Sequence, residues 1–282
     1  MVPFPLSTIV APAGPIGVLD IGASFVGEPP PYQPLLQSGA ARLIGFEPDA
    51  AACEKLRRMY GPPSRFFPYF IGDGRPGVFH QTSWAPTGSL LRPNARVTQA
   101  FQNLHELMTL VAEHPVQTRR LDDVEDLGDV DFFKLDVQGA ELMVLQNAVR
   151  VLGSVSVIQV EVEFLELYEN QPLFADVDRF LRGQGFVFHT FLGFGTRCFK
   201  PMMKDNDPNK GMNQILWSDA VYLRDWQNLA ALSADKVARY ATLLHDLFGS
   251  LDLCLGLLTH LDAREGTRHA QRYMEMMAPP RR

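Results

Sequence analysis

Eleven residues, Asp131 to Glu141, limit what this chain can become more than any other stretch: DFFKLDVQGAE. Phe132, Phe133 and Leu135 form a short apolar run of strand-forming side chains, bounded by turn residues. Lys134 and Asp136 interrupt it. Two residues apart on a strand, their side chains leave the same side of the pleat. A buried charge is strongly unfavourable unless it is paired, so these groups either have partners or face a cleft. In open α/β sheets the cleft at the carboxyl ends of the strands is where ligands bind. Asp136 is therefore expected in an active site, against the plainer reading of a structural Lys-Asp-Glu pairing.

Other apolar runs end in the same way. IGVLDI at 16 to 21 carries Asp20 near its end and is followed by Gly22, within DIGASFVGE. Bare backbone at such a turn lets a nucleotide approach where a Cβ would collide. The stretch is neither GxGxxG nor a Walker loop, and a short DIG turn alone is a weak signal. The next run, ARLIGF at 41 to 46, ends in Glu47-Pro48-Asp49. An acid at the end of the second strand is placed to accept from ribose hydroxyls. Capping of a helix from Ala50 to Met59 would also suit an acid there, but Asp49 can do that and leave Glu47 free. The proline run of GEPPPYQPLL delays the first helix to about Pro34.

Phe66 to Ile71 reads as a third strand leading into Gly72-Asp73-Gly74, where Asp73 could meet an adenine amino group or simply make a turn. Val97 to Glu113 reads as helix and Val116 to Leu121 as strand. A helix over Ala140–Leu152 follows the central stretch, with Leu142, Leu145, Val149 and Leu152 on one face. VSVIQVEVEF at 155 to 164 is a strand with Glu161 and Glu163 on one face. Phe186 to Phe191 is a strand with His189, and ILWSDAVYL at 215 to 223 closes the sheet. Strands and helices alternate throughout, which predicts an α/β fold with a mostly parallel sheet and helices on both faces.

Composition sets bounds. The 282 residues suffice for one α/β domain and an appendage. Hydrophobic residues at 46% and charged residues at 21% are those of a soluble globular protein. A net charge of −6 argues against a nucleic-acid partner, which needs a basic footprint. Cys53, Cys198 and Cys254 make no CxxC pair, so no zinc site or disulfide framework is indicated. The amino terminus lacks the features of a signal peptide, and no apolar run approaches the ~20 residues of a membrane span, so a cytoplasmic location is expected. Residues 1 to 15 read as an arm, 16 to 224 as the main domain and 225 to 282 as a helical extension for packing or for pairing with a second copy.

VLDIGAS at 18 to 24, GFEPD at 45 to 49, IGDG at 71 to 74, DFFKLDVQGAELMVLQNA at 131 to 148 and VEVEFLELYENQPLFADVDRFLRGQGF at 160 to 186 together resemble the FkbM-type family of S-adenosylmethionine-dependent methyltransferases. The resemblance implies a class I methyltransferase (Rossmann-like) fold of seven strands with the last antiparallel. It implies S-adenosyl-L-methionine as cofactor and O-methylation of a hydroxyl on a small-molecule or glycan acceptor. Many relatives carry Glu where this chain has Gln138. The residues expected to bind cofactor are Asp20, Gly22, Ala23, Ser24, Glu47, Asp73 and Asp136. Those expected at the transfer step are Asp136, Glu161 and Lys134, with Asp136 or Glu161 taking the acceptor's proton and Lys134 holding one of them. His189 is an alternative base. Two acids are too few to claim a metal site. The loop from Gly193 to Asn213, with Arg197, Lys200, Lys204 and Lys210 as donors and Phe199, Met202 and Met203 as apolar surface, is expected to shape the acceptor pocket.

Overall fold

The computed structural model describes residues 3–23 and 29–278, so Ser24 and Gly27 of the glycine turn lie outside the described residues. Among the described residues ten strands form: β1 (Ile16–Ile21), β2 (Ala41–Phe46), β3 (Arg65–Phe67), β4 (Phe70–Ile71) and β5 (Pro76–Thr82), then β6 (Leu110–Arg119), β7 (Phe132–Leu135), β8 (Val157–Glu163), β9 (Phe186–Thr196) and β10 (Ile215–Arg224). The helices are α1 (Gln33–Gln37), α2 (Ala50–Tyr60), α3 (Ala95–Thr98), α4 (Leu104–Leu107) and α5 (Glu141–Gln146), then α6 (Val149–Leu152), α7 (Phe174–Gly183), α8 (Ala234–Asp246), α9 (Leu251–Glu265) and α10 (His269–Met277). None of the described helices is long and apolar enough to cross a membrane.

Seven strands make the main sheet, in the order β3-β2-β1-β7-β8-β10-β9. All neighbours are parallel except β10, which runs antiparallel to both β8 and β9. This is the class I methyltransferase topology. The strand order reverses between β1 and β7, which places the ligand crevice at the carboxyl ends of these two strands.

The two faces of the sheet follow from residue alternation. Leu19, Ile21, Phe133, Leu135, Ile158, Val160, Ala220 and Tyr222 pack with α5, α6 and α7. Val18, Phe132, Val157, Val221 and Leu223 point the other way, into a core completed by Leu6 and Ile9 of the arm and by α8 and α9. On this second face the side chains toward the carboxyl-terminal ends of β1, β7 and β8 are Asp20, Lys134, Gln159 and Glu161, and antiparallel β10 brings Asp219 of its first half beside them. One face thus changes along the strands from apolar to charged.

Between β3 and β7 the chain builds a second, three-stranded sheet, β4-β6-β5. The single strand expected over 66 to 71 is divided between the two sheets. The helix expected over 97 to 113 is two single turns, and β6 begins at Leu110 because β5 supplies an antiparallel ladder along its length. The long helix after the central stretch breaks into α5 and α6, where the Asn147 carboxamide donates to the Met143 carbonyl and competes with the helix ladder.

Candidate active site

Asp20 is buried at the end of β1. Its Oδ2 accepts from the Tyr32 hydroxyl, and Lys134 Nζ lies 3.7 Å from Oδ1. Oδ1 has no hydrogen-bond partner. Burial pushes the Asp20 carboxyl up, and Lys134 opposes that. Gly22 follows with φ of 84°, and its N–H and that of Ala23 both donate to the Phe46 carbonyl at 3.1 Å. A Cβ on Gly22 would sit 1.9 Å from the Asp136 carbonyl oxygen. The glycine is therefore required twice over, by its left-handed backbone and by the close approach of β7.

Glu47 emerges at the end of β2. Its Oε1 accepts from the Asp49 N–H at 2.8 Å, while Asp49 caps α2 by accepting from the Ala52 N–H at 2.7 Å. The division of labour expected from the sequence is present, with Oε2 of Glu47 unused by these bonds. Burial raises the Glu47 carboxyl, and the Asp49 N–H works against it. Asp73 sits instead in the turn after β4, where Oδ1 accepts from the Arg75 N–H and the Thr118 hydroxyl. Neither of these bonds reaches the other candidate residues. An open cleft of about 300 Å³ beside it is lined by Gly74, Thr118, Arg119, Arg120 and Asp123, and by none of Asp20, Asp136 or Glu161.

At the end of β7, Lys134 Nζ lies 3.7 Å from Asp136 Oδ2 as well as from Asp20, so one lysine serves two carboxylates. The acids around it hold the Lys134 ammonium well above its ordinary value in spite of its burial. The turn after Asp136 has Gln138 at φ of 60° and Gly139 at 97°. There the Gln138 amide donates to Asp136 Oδ1 at 2.8 Å and to Glu161 Oε2 at 2.7 Å. Glu141 is buried at the start of α5, with Oε1 accepting from the Val137 and Gly139 N–H groups. Burial pushes its carboxyl up to about 7.

Asp136, Glu141 and Glu161 each offer an oxygen within 4.8 Å of the others. Two full charges at that separation repel by roughly 3 kcal/mol at an effective dielectric of about 20. Lost hydration and then Asp136 push the Glu161 carboxyl well above the usual range. Burial, followed by Glu141, does the same to Glu163. Asp219, opposite Glu161 in the β8–β10 pairing, is raised by burial and by Asp136. An acid with a raised pKa is the stronger base once it has ionised.

The structure thus brings together Asp20, Lys134, Asp136 and Glu161, and Gly22 joins them through the Asp136 backbone. His189 is not among them. It is the extra residue of a bulge against β10, and its Nε2 meets the Ser250 hydroxyl at the start of α9 at 2.6 Å. Glu141, Asp219, Tyr32 and Tyr168 were not expected. Asp219 carried a usable signal, an acid inside the apolar run ILWSDAVYL two residues from inward Val221. Tyr32 and Tyr168 carried none, because long-range packing alone brings them in. The loop after β9 is also less free than its composition suggested. Lys200 pairs with Glu106, Lys210 with Asp205, and Arg197 lies over the Trp217 ring.

A family model described as the methyltransferase FkbM domain matches residues 20–188, more than half of the chain. The chain belongs to the FkbM methyltransferase family. Its methyl donor is accordingly S-adenosylmethionine. Among curated proteins, the chain is 30% identical over 175 residues to the 2-O-methyltransferase NoeI of Sinorhizobium fredii (strain NBRC 101917 / NGR234), covering 57% of this chain and 69% of that protein. Among solved structures, it is similar to magnesium protoporphyrin IX methyltransferase (ChlM) from Synechocystis PCC 6803 with bound SAM. That similarity has a TM-score of 0.39 and 13% identity, and covers 75% of this chain and 71% of the other.

The crevice fits such a cofactor on its own terms. Asp20 offers a buried oxygen without a hydrogen-bond partner, suited to a cationic ligand.

Proposed function

We propose that this FkbM methyltransferase transfers its methyl group to a hydroxyl of a sugar, glycan or secondary metabolite. The observation that carries the reading is the pair of carboxylates, Asp136 and Glu161, held by one amide at the topological switch point beside the glycine turn. NoeI, named as a 2-O-methyltransferase, supports oxygen as the accepting atom.

The bound cofactor supplies an electrophilic methyl group on a sulfonium. Everything else falls to the chain. Asp20 receives a cationic end of the cofactor on its free oxygen, Gly22 and Ala23 line it with backbone, and Glu47 accepts from its ribose hydroxyls. An alcohol is a weak nucleophile while protonated, so a base in contact with it gives typically ~10²–10⁴-fold. Glu161 is that base. Its raised pKa means that turnover climbs as the pH rises through that value and the carboxyl ionises. Asp136, paired to Lys134, stays beside the hydroxyl as acceptor and orients it, and in-line placement supplies much of the remaining rate.

A transfer assay with methyl-labelled cofactor against sugars, glycans and hydroxylated metabolites tests this. Label appearing as an O-methyl ether on one acceptor is the expected result. Label on nitrogen or carbon, or no transfer to any hydroxyl by protein that binds the cofactor, counts against it.

A further inference from the structure

Every polar atom of the Gln138 side chain is used. Its two N–H groups go to Asp136 and Glu161, and its carbonyl oxygen lies 3.2 Å from the Tyr168 hydroxyl, whose single proton it shares with the Thr87 carbonyl at 2.9 Å. The orientation of the amide is forced, because the reverse would aim its carbonyl at two carboxylates. The main chain is held as well. Gln138 keeps a left-handed φ of 60°, and its carbonyl accepts from the Ser89 hydroxyl at 2.6 Å.

The group it serves has the form of an oxygen cage for a hard cation. Asp136, Glu141 and Glu161 lie within 4.8 Å of one another, and the amide nitrogen sits between two of them. Gln159, buried on the same face of β8 as Glu161, has a side-chain oxygen without a hydrogen-bond partner. A glutamate at 138 would lose both donated bonds and add a further charge.

We propose that the Gln138 amide takes the place of a divalent cation in this site: it is the positioning residue that holds Asp136 and Glu161 side by side, and it keeps hard cations out. This rests on the reading of those two acids as the transfer site. Two consequences follow. The unaltered protein has little affinity for a divalent ion, and replacing Gln138 opens a cation site.

Manganese(II) alone is the probe, followed by the loss of the free ion's six-line paramagnetic resonance signal. Unaltered protein is expected to leave the signal intact at ~1 mM ion. Gln138→Glu is expected to bind one ion at least ~100-fold more tightly. Gln138→Leu, which frees the same carboxylates without adding charge, is expected to show weaker uptake and serves if the glutamate variant does not fold. Cofactor binding by calorimetry reports the fold of each protein and needs no acceptor, so this result stands apart from the transfer assay. Unaltered protein that takes up manganese as tightly as Gln138→Glu would overturn the proposal. So would folded Gln138→Leu or Gln138→Glu that takes up none, since a merely structural glutamine lowers stability on replacement without creating a metal site.

Discussion

Asp131 and Asp136 flank the same four-residue strand, and their surroundings are opposite. Asp131, at the amino end, is fully buried and accepts from the Gly17 N–H at 2.7 Å, from Lys236, and from Arg239 at 3.4 Å. Two cations serve one acid. At the carboxyl end one lysine is shared by Asp20 and Asp136, with Glu141 and Glu161 close by. A carboxylate well supplied with donors holds elements together. A group of carboxylates short of donors holds room for something that brings positive charge or a proton.

Substitution at both ends probes that contrast most directly. Asp131→Ala leaves Lys236 and Arg239 without their buried partner and is expected to lower stability by ~3–5 kcal/mol in denaturant unfolding, while the folded fraction binds cofactor normally. Asp136→Asn keeps an acceptor for Gln138 and is expected to fold and bind cofactor, but to lose most turnover because the acceptor hydroxyl is no longer oriented. Exchanged outcomes, with Asp131 affecting turnover and Asp136 affecting folding, would break the comparison.

Gly22→Ala sharpens it from the cofactor side. The added methyl meets the Asp136 carbonyl, and the left-handed backbone is strained for any other residue, so a loss of about 2–4 kcal/mol is expected in urea unfolding, with cofactor affinity falling in calorimetry.

Glu141→Gln tests whether the carboxyl end is truly overloaded. A carboxyl raised from 4.5 to about 7 binds its proton more tightly folded than unfolded. Its contribution is complete below about pH 4.5 and is lost as the pH rises through 7, with an upper bound of roughly 3 kcal/mol. Glutamine still accepts from Val137 and Gly139, so the variant's unfolding free energy is expected to vary less between pH 5 and pH 8. Equal pH dependence in the two proteins would mean that Glu141 is ionised without strain.

The smallest effect is expected at Glu47→Ala, which removes one charge-assisted acceptor and should weaken cofactor binding by ~1.5–3 kcal/mol in calorimetry. Unchanged affinity would move the ribose elsewhere.

Much of this architecture is legible in the amino-acid sequence, and the reason differs by residue. Lys134 and Asp136 are legible because the period of a strand puts them on one side whatever the rest does. The repeated apolar runs make a mostly parallel α/β sheet legible, and its seven-stranded form is legible only through the resemblance to the FkbM-type family. The second sheet is legible only in part, since Val116 to Leu121 reads as strand but the first half of β6 reads as helix. Leu110 to Arg119 has little apolar alternation of its own and becomes a strand because β5 pairs with it. Gln138 is not legible as a bridge. A glutamine in a turn says nothing of Glu161 and Tyr168, which reach it from later in the chain.

The arm before β1 has a consequence for how the chain is made. Phe4 stacks on His245, and the Leu6 N–H donates to Asp246, some 240 residues further on. On a ribosome the early residues therefore wait for α8, and the face of β1 and β7 that α8 and α9 cover stays bare through most of synthesis. A chain halted before α8 would carry its glycine turn and central strand already translated, with an apolar surface and no partner for it. Such nascent chains are candidates for chaperone capture or proteolysis, and methyl-transfer competence should arrive late and all at once.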